Sequence, residues 1–458
     1  MTADLRFYLT TPIYYVNDVP HIGHMYTTLA CDVIARFKRL DGYAVHFLTG
    51  TDEHGQKVQK AAAAAGIAPQ QFTDRVSANF RELAALMNFS NDDFIRTTEE
   101  RHKRACAALW QRLVERDQIY LQTYGGWYAV RDEAFYAESE LVAGPAGERL
   151  APTGAPVDWV EEPSYFFRLS AWQEPLRRFY DEHPDFILPP SRRNEVSSFV
   201  EGGLQDLSIS RTTFDWGIPV PGDPAHVMYV WLDALTNYIT AAGFPDTEGE
   251  LFQTWWPADL HMVGKDILRF HAVYWPAFLM AAGLEPPRRV FAHGWWTNEG
   301  QKISKSLGNV IDPKELVTRY GLDPVRYFML REVPFGQDGD FSHRAMVGRI
   351  NGDLANDFGN LAQRVLSMIA RYCGGRMPIP SGFAEADRAL LDAASGLLGR
   401  LRGHIDRQVL HTALVEMWEV IAAANGYVAR QAPWTLRKTD TIRMQTVLFV
   451  CAETLRRL

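Results

Sequence analysis

The chain has 458 residues, 47% of them hydrophobic and 22% charged, and a formal net charge of −8; that is room for two or three domains of an ordinary soluble globular protein. No apolar run reaches membrane-spanning length, the opening MTADLRFYLTT has no signal-peptide pattern, and Cys31, Cys106, Cys373 and Cys451 form no CxxC pair, which argues against a zinc site or disulfide framework and for a reducing cytoplasm. From Phe341 onward fifteen Lys/Arg face ten Asp/Glu, a local +5 against −13 before it, so a polynucleotide partner stays possible, although a solvated helical surface explains the same numbers.

Leu5–Leu9 has strand composition, and Met25–Leu40 carries apolar residues at helical spacing up to Asp41-Gly42. Between them, Pro20-His21-Ile22-Gly23-His24 falls where a strand ends and a helix begins. Free backbone N–H groups and the helix dipole at such a junction attract phosphate. Two imidazoles add donors, and Gly23 leaves room for a nucleotide. Ala44–Thr49 reads as a second buried strand, followed by the loop Gly50-Thr51-Asp52-Glu53-His54-Gly55. Strand, helix, strand in this order predicts a parallel α/β sheet with its ligand sites at the carboxyl ends of the strands. Helices are expected over 56–65, 69–87 and 100–116.

From Ile119 to about Leu169 the texture changes to a loop-rich β insertion containing GPAGERLAPTGAP. Helical patterns return at Trp172–Glu182 and Glu195–Gly202, and a further strand pattern at Asp259–Val263 precedes Gly264-Lys265-Asp266. Arg289–Ala292 is another short strand, leading into His293. The fold class expected is therefore α/β, a split Rossmann-type parallel sheet with a small β-rich insertion. Beyond Phe341 strand signals vanish, and helical patterns over 343–371, 385–404, 408–430 and 441–457 predict an all-α bundle.

Lys302-Ile303-Ser304-Lys305-Ser306 forms a second basic loop in the exit segment of the α/β part. Two histidines at a helix start and two lysines in a loop can clamp a triphosphate. Attack at the α-phosphorus concentrates negative charge on phosphate oxygens, and preplaced cations stabilise it without an acid–base residue. Such nucleotidyl transfer also calls for Mg2+ bridging the phosphates.

On these residues the sequence resembles the class I aminoacyl-tRNA synthetases, whose two signatures are HIGH (His21-Ile22-Gly23-His24) and KMSKS (Lys302 to Ser306, with Ile303 in place of methionine). PIYYVND before HIGH, TGTDEHG at 49–55, YVWLDAL at 229–235 and VGKDILRFHAVYWPA at 263–277 make it similar to the methionyl-tRNA synthetase family, as do DLSISR, WGIPVP, NLAQR and QAPW further on. The resemblance implies that Asp52 holds the ammonium group of methionine. It implies that Ile13, Tyr15, Trp231, Ala234, Leu235, Tyr238, Ile267 and His271 shape the side-chain pocket, with His271 or Tyr15 donating a weak hydrogen bond to sulfur. It gives ATP to His21, Gly23, His24, Gly264, Asp266, His293, Trp296 and Lys305. Catalysis goes to His21, His24, Lys302 and Lys305, Lys305 acting most directly. Asn360, Arg364 and Trp434 would read the CAU anticodon, a guanidinium, an amide and an indole suiting single-stranded bases. Trp231 and Tyr238, at i and i+7, are expected on one face of a single helix with Ala234 and Leu235 between them; without the resemblance that face is plain core, Trp434 a packing residue and Asp52 a helix cap.

The domains expected are a first catalytic half at 1–118, the insertion at 119–219, a second catalytic half at 220–297, the lysine loop and stem-contact region at 298–341, and a helical-bundle anticodon-binding domain at 342–458. Many relatives carry cysteine-ligated zinc in the insertion, where this chain has no cysteine, so a zinc-free insertion held by packing is expected, with no protein-bound metal. The partners implied are L-methionine, ATP with Mg2+, and initiator and elongator tRNA-Met, with no membrane. The bundle looks short for the family, and the lack of an appended tRNA-binding domain implies a monomer. An insertion of this size is too short for the editing domain of leucyl, isoleucyl and valyl enzymes. Two rivals remain: a paralogue that binds without charging, and adenylate transfer to an acceptor other than tRNA.

Overall fold

The computed structural model describes residues 5–16, 19–132, 134–145, 147–303 and 308–458. The chain divides into two compact units, Met1–His293 and Gly294–Leu458. Among the described residues no helix is long and apolar enough to cross a membrane.

The first unit is built on a parallel sheet. Strand β1 (Arg6–Thr10) leads through the short β2 (Tyr14–Tyr15) into helix α1 (Ile22–Leu40) and on to β3 (Ala44–Asp52). Helices α2 (Gln56–Ala64) and α3 (Pro69–Leu86), strand β4 (Asp93–Arg96) and helix α4 (Glu100–Glu115) follow. After the insertion come α5 (Gln173–Glu182), strand β7 (Ile187–Leu188; β5 and β6 belong to the insertion) and α6 (Pro190–Glu201). Two short helices, α7 (Val230–Leu235) and α8 (Asn237–Ala241), precede β8 (Leu260–Gly264), a π-helical turn over Phe270–Tyr274, α9 (Trp275–Ala281) and β9 (Val290–His293). The strands lie in the order β7-β9-β8-β1-β3, with β2 and β4 both paired to β3, and every pairing is parallel.

β1 therefore separates β3, which follows it through α1, from β8, which arrives some 250 residues later. Where strand order reverses, the crossover connections diverge and leave a crevice outside the carboxyl ends of the central strands. Here that crevice opens at the ends of β1 and β8. Both sheet faces are covered, so Leu9, Phe47, Leu48, Met262, Val263 and Ala292 are completely buried, as a parallel sheet requires.

Three elements depart from the sequence reading. β3 runs on to Asp52 instead of stopping at Thr49, because Gly50 serves close strand approach and is no breaker. A β-carbon there would lie 2.0 Å from the Ile95 carbonyl oxygen of β4, a strand the sequence reading did not detect. α6 begins five residues before the expected Glu195, with a proline in its first turn, where no N–H is needed. The expected single helix carrying Trp231 and Tyr238 breaks at Thr236, whose hydroxyl donates to the Leu232 carbonyl at 2.7 Å, a back-bond that bends helices.

The insertion is an antiparallel ladder of β5 (Ile119–Ala129) and β6 (Asp158–Phe167), in register from Ile119 opposite Phe167 to Tyr128 opposite Asp158. At its far end Ala129, Ala151, Ala155 and Val157 form a small core under Trp127, Tyr136 and Leu141.

In the second unit Trp296–Asn298 pairs in parallel with Gly339–Phe341 and antiparallel with Gln301–Lys302. The helices Asn360–Tyr372, Glu385–Asp406, Leu410–Gln431 and Thr441–Arg457 then pack around Leu361, Val365, Ile421, Tyr427, Val447 and Leu448. Asp387, fully buried, receives the Arg443 guanidinium through both carboxylate oxygens and the Tyr427 hydroxyl at 2.5 Å.

Candidate active site

The start of α1 is tied by its own histidines. His21 is the N-cap, and its Nδ1 accepts the Gly23 N–H at 3.1 Å, while His24 Nδ1 accepts the His21 N–H at 3.1 Å. The result is a reciprocal box of the kind Ser and Glu usually make. It corrects the expectation of free backbone donors here, since two of them are satisfied internally. It also fixes the tautomers: a nitrogen that accepts from a backbone N–H carries no proton, so in each neutral ring the proton sits on Nε2. Burial pushes both imidazoles below their ordinary range, His24 far below, with the His21 charge adding to the effect there. The rings lie 4.0 Å apart, and His24 is held edge-on by Tyr14 and Phe80. A β-carbon on Gly23 would come within 3.0 Å of the His21 ring, so glycine lets the cap fold over the helix.

The carboxyl ends of β8 and β9 close on the same helix start. Gly264 is in register with His293, and His293 Nε2 lies 2.7 Å from Thr27 Oγ1 in the first turns of α1. Gly264 is crowded by Asp266, whose Oδ1 lies 2.5 Å from the position of a β-carbon. His21, Gly23, His24, Gly264, Asp266 and His293 are thus grouped by the first unit alone.

The other expected residues gather nearby. β2 sets Tyr15 opposite Asp52, and Ile13, Tyr15, Trp231 and Ile267 pack against the main core as half-buried side chains. Trp231 stacks on Phe270 with ring centres 3.6 Å apart and meets His271 edge-on. Ala234, Leu235 and Tyr238 are buried. Tyr238 Oη lies 2.7 Å from His271 Nε2, and His271 Nδ1 lies 2.9 Å from the Ile267 carbonyl. A carbonyl only accepts, so Nδ1 holds the ring's proton and Nε2 receives the Tyr238 hydroxyl. Burial takes the His271 imidazole down to about 4, against the opposing pull of the Ile267 carbonyl and Asp266. A neutral His271 accordingly has no proton left for sulfur, which corrects one of the two donors expected. Burial raises the Tyr238 phenol, and the Asp52 carboxylate adds to that, which sets Asp52 within electrostatic reach of the pocket wall.

Five buried groups, Glu53, His54, His102, Cys106 and Asp233, make contacts not found from sequence. Glu53 accepts from Thr51, Arg96 and Thr98. Asp233 accepts from His54 and His102 at 2.6 and 2.8 Å. Among the described residues, His102, Cys106 and Asp233 are the group whose potential metal-ligand atoms approach one another. They are fully buried and already hydrogen-bonded together. The motif DEHG offered the only local hint, because the partners of His54 and Glu53 lie far along the chain.

In the second unit Trp296 is buried against Phe328. Lys302 is exposed at the end of its hairpin, its carbonyl accepting from Asn309 Nδ2 at 3.0 Å. Lys305 lies outside the described residues. Arg364 donates to the Asn360 carbonyl at 3.3 Å and to Asn425 Oδ1 at 2.5 Å, so Asn360 and Arg364 do share a helix face. Trp434, in the first turn of Pro433–Thr439, is 45% exposed, which is unusual for an indole that serves only packing.

Comparison with known proteins agrees with this geometry. A family model described as tRNA synthetases class I (M) matches residues 7–366. The methionine–tRNA ligase of Brucella suis biovar 1 (strain 1330) is 60% identical over 452 residues, covering 99% of this chain and 88% of that protein; that of Mesorhizobium japonicum is 58% identical, covering 99% and 87%. Mycobacterium tuberculosis methionyl-tRNA synthetase in complex with methionyl-adenylate superposes with a TM-score of 0.97 at 57% identity, covering 99% of this chain and 90% of that one. Its apo form gives 0.89 at 54% identity, covering 99% and 88%. A switch-point crevice headed by two capping histidines, a family model across most of the chain and near-complete relatives all agree: the chain belongs to the class I aminoacyl-tRNA synthetases, and within them to the methionyl-tRNA synthetases.

Proposed function

We propose that the crevice at the ends of β1 and β8 is where this family member joins L-methionine to ATP before ligating it to tRNA. The observation that carries this reading is the paired capping of α1, which turns two neutral imidazole N–H donors away from the backbone beside Gly264 and His293. In the first step a methionine carboxylate oxygen attacks the α-phosphorus, a P–O bond forms, the bond to the β-phosphate breaks and pyrophosphate leaves with the electron pair. In the second, the terminal ribose hydroxyl of tRNA-Met attacks the carbonyl of methionyl-adenylate, AMP departs and the hydroxyl proton is lost to solvent or phosphate.

The roles are those the family resemblance implies, and the chemistry of each side chain suits them. His21 and His24 donate from Nε2 to phosphate oxygens, and Gly23 admits the nucleotide. Gly264 and Asp266 meet the ribose, with His293 and Trp296 flanking adenine. Lys302 and Lys305 neutralise charge that grows on the phosphates in the transition state, Lys305 most directly. ATP enters as its Mg2+ complex, whose cation would add to the charge that the lysines set against the phosphates. Asp52 pairs with the ammonium group, a charge-assisted contact. Ile13, Tyr15, Trp231, Ala234, Leu235, Tyr238, Ile267 and His271 enclose the thioether, which packs well on aromatic surface. Asn360, Arg364 and Trp434 read the anticodon. Residues 1–118 and 220–297 act as the catalytic halves around the insertion at 119–219, with 298–341 as lysine loop and stem contact and 342–458 as the anticodon-binding bundle. The insertion holds by its alanine-rich core without zinc, and the enzyme acts as a cytoplasmic monomer.

Methionine-dependent ATP–pyrophosphate exchange, followed by charging of tRNA-Met transcripts with native and altered anticodons, tests this. Exchange and charging that both require methionine, with charging lost on anticodon change, is the result expected. Exchange without charging would point to another acceptor; methionine binding without exchange would overturn the enzymatic reading.

A further inference from the structure

Asp233 is completely buried and uses both carboxylate oxygens, Oδ2 accepting from His54 Nδ1 at 2.6 Å and Oδ1 from His102 Nε2 at 2.8 Å. A carboxylate only accepts, so both rings donate. His102 Nδ1 also lies 3.3 Å from the Thr240 hydroxyl oxygen. Burial alone would raise the Asp233 carboxyl, yet His54 and His102 bring it down to about 2, so the group stays ionised at neutral pH.

Three elements meet at this carboxylate. His54 follows Asp52 by two residues, just past the end of β3. Asp233 sits in α7 between Trp231 and Ala234. His102 comes from α4. The segment after β3 is tied once more at Trp216, whose indole N–H donates to the Glu53 carbonyl at 2.6 Å and whose own carbonyl accepts the Gly55 N–H at 2.9 Å. The ring of Trp216 also meets His54 edge-on.

We propose that Asp233 is a positioning residue that sets the distance between the ammonium site at Asp52 and the side-chain pocket along α7, through its paired hydrogen bonds to His54 and His102. The proposal rests on the methionine-binding reading above and assigns what determines its selectivity for chain length. Methionine is unbranched and flexible, and offers a charge at one end and a thioether at the other. A pocket by itself rejects one methylene more or fewer by only about 10- to 200-fold. Recognition of length therefore needs both ends held at fixed separation, which the buried hydrogen bond from His54 to Asp233 supplies between the two elements.

The test is methionine-dependent ATP–pyrophosphate exchange by the full chain carrying Asp233→Asn, whose side chain has one accepting oxygen where two donors wait. The expected result is a methionine KM raised about 10- to 100-fold, with kcat and the KM for ATP within about threefold of wild type. Selectivity for methionine over ethionine, one methylene longer, and S-methylcysteine, one shorter, should fall alongside. His54→Asn, whose amide nitrogen stands at the same place along the side chain as the Nδ1 that donates to Asp233, should move the same quantities less, and serves where Asp233→Asn gives no folded protein. A lower melting temperature with unchanged methionine KM and unchanged length selectivity would overturn the proposal, as would equal rises in the KM for methionine and ATP. Asp52→Asn is run in parallel: if it leaves the methionine KM unchanged, the ammonium-site assignment itself fails, and the positioning role falls with it.

Discussion

Tyr238 Oη donates to His271 Nε2 across 2.7 Å, because the ring's other nitrogen gives its proton to the Ile267 carbonyl. The phenol proton is therefore committed to the imidazole. Tyr238→Phe leaves a fully buried acceptor bare, at a cost of about 1–3 kcal/mol. Methionine KM should rise about tenfold, with the KM for ATP unchanged. Steady-state exchange at varied methionine and varied ATP checks this, and an equal rise in both constants would count against a methionine-specific wall.

Acid should unfold the first unit partly through His271. Its imidazole titrates at about 4 when folded, against about 6.5 when free. Between those values the unfolded chain binds a proton that the native chain refuses, so stability falls as pH drops from about 6.5 toward 4, by about 3 kcal/mol over the whole window. His271→Gln removes that proton site. Denaturant midpoints at pH 7 and pH 4.5 should fall less steeply for the variant than for wild type, and equal slopes would contradict the assignment.

Lys302→Ala and Lys305→Ala should act on rate alone. Loss of a donor aimed at transition-state charge costs about 10²–10³ in kcat, and Lys305→Ala should show the larger loss. Methionine affinity, measured by fluorescence titration without ATP, should stay within about twofold. A parallel loss of methionine affinity would remove the transition-state role.

Trp434→Ala separates the two halves of the reaction. Base stacking on an indole is worth about 1–3 kcal/mol, so the KM for tRNA in the charging assay should rise roughly 5- to 150-fold. Pyrophosphate exchange should not change. An effect on exchange would mean that the indole supports the fold instead.

Asp387→Ala strands the Arg443 guanidinium beside the buried Tyr427 hydroxyl. Arg443 is partly exposed, so removing the carboxylate costs about 1–3 kcal/mol. Calorimetry should show the second unit melting earlier, while adenylation measured below that transition persists.

Much of this architecture could be read from the chain because it is written locally. The periodicity around Leu29, Val33, Ile34 and Phe37 marks α1, and His21-x-Gly23-His24 marks its head. Gly50 misled, since glycine inside a strand and glycine ending one look alike until the Ile95 carbonyl is seen against it. Thr236 misled in the opposite sense, its back-bond dividing a helix whose apolar spacing is unbroken. The Asp233 tie was beyond reach, because its two imidazoles lie 131 and 179 residues away along the chain and no spacing rule spans such a gap. Tautomers were equally hidden: which nitrogen of His21, His24 or His271 bears the proton follows only from what the other one touches.

His21 and His24 close the head of α1, and in the proposed reaction the same two imidazoles would also donate to phosphate. Asn, Asp or Ser would close the helix as well, and Lys or Arg would grip phosphate harder. Neither group does both. On that reading helix initiation and phosphate contact are joined at two residues, and a substitution at either will meet a folding constraint first.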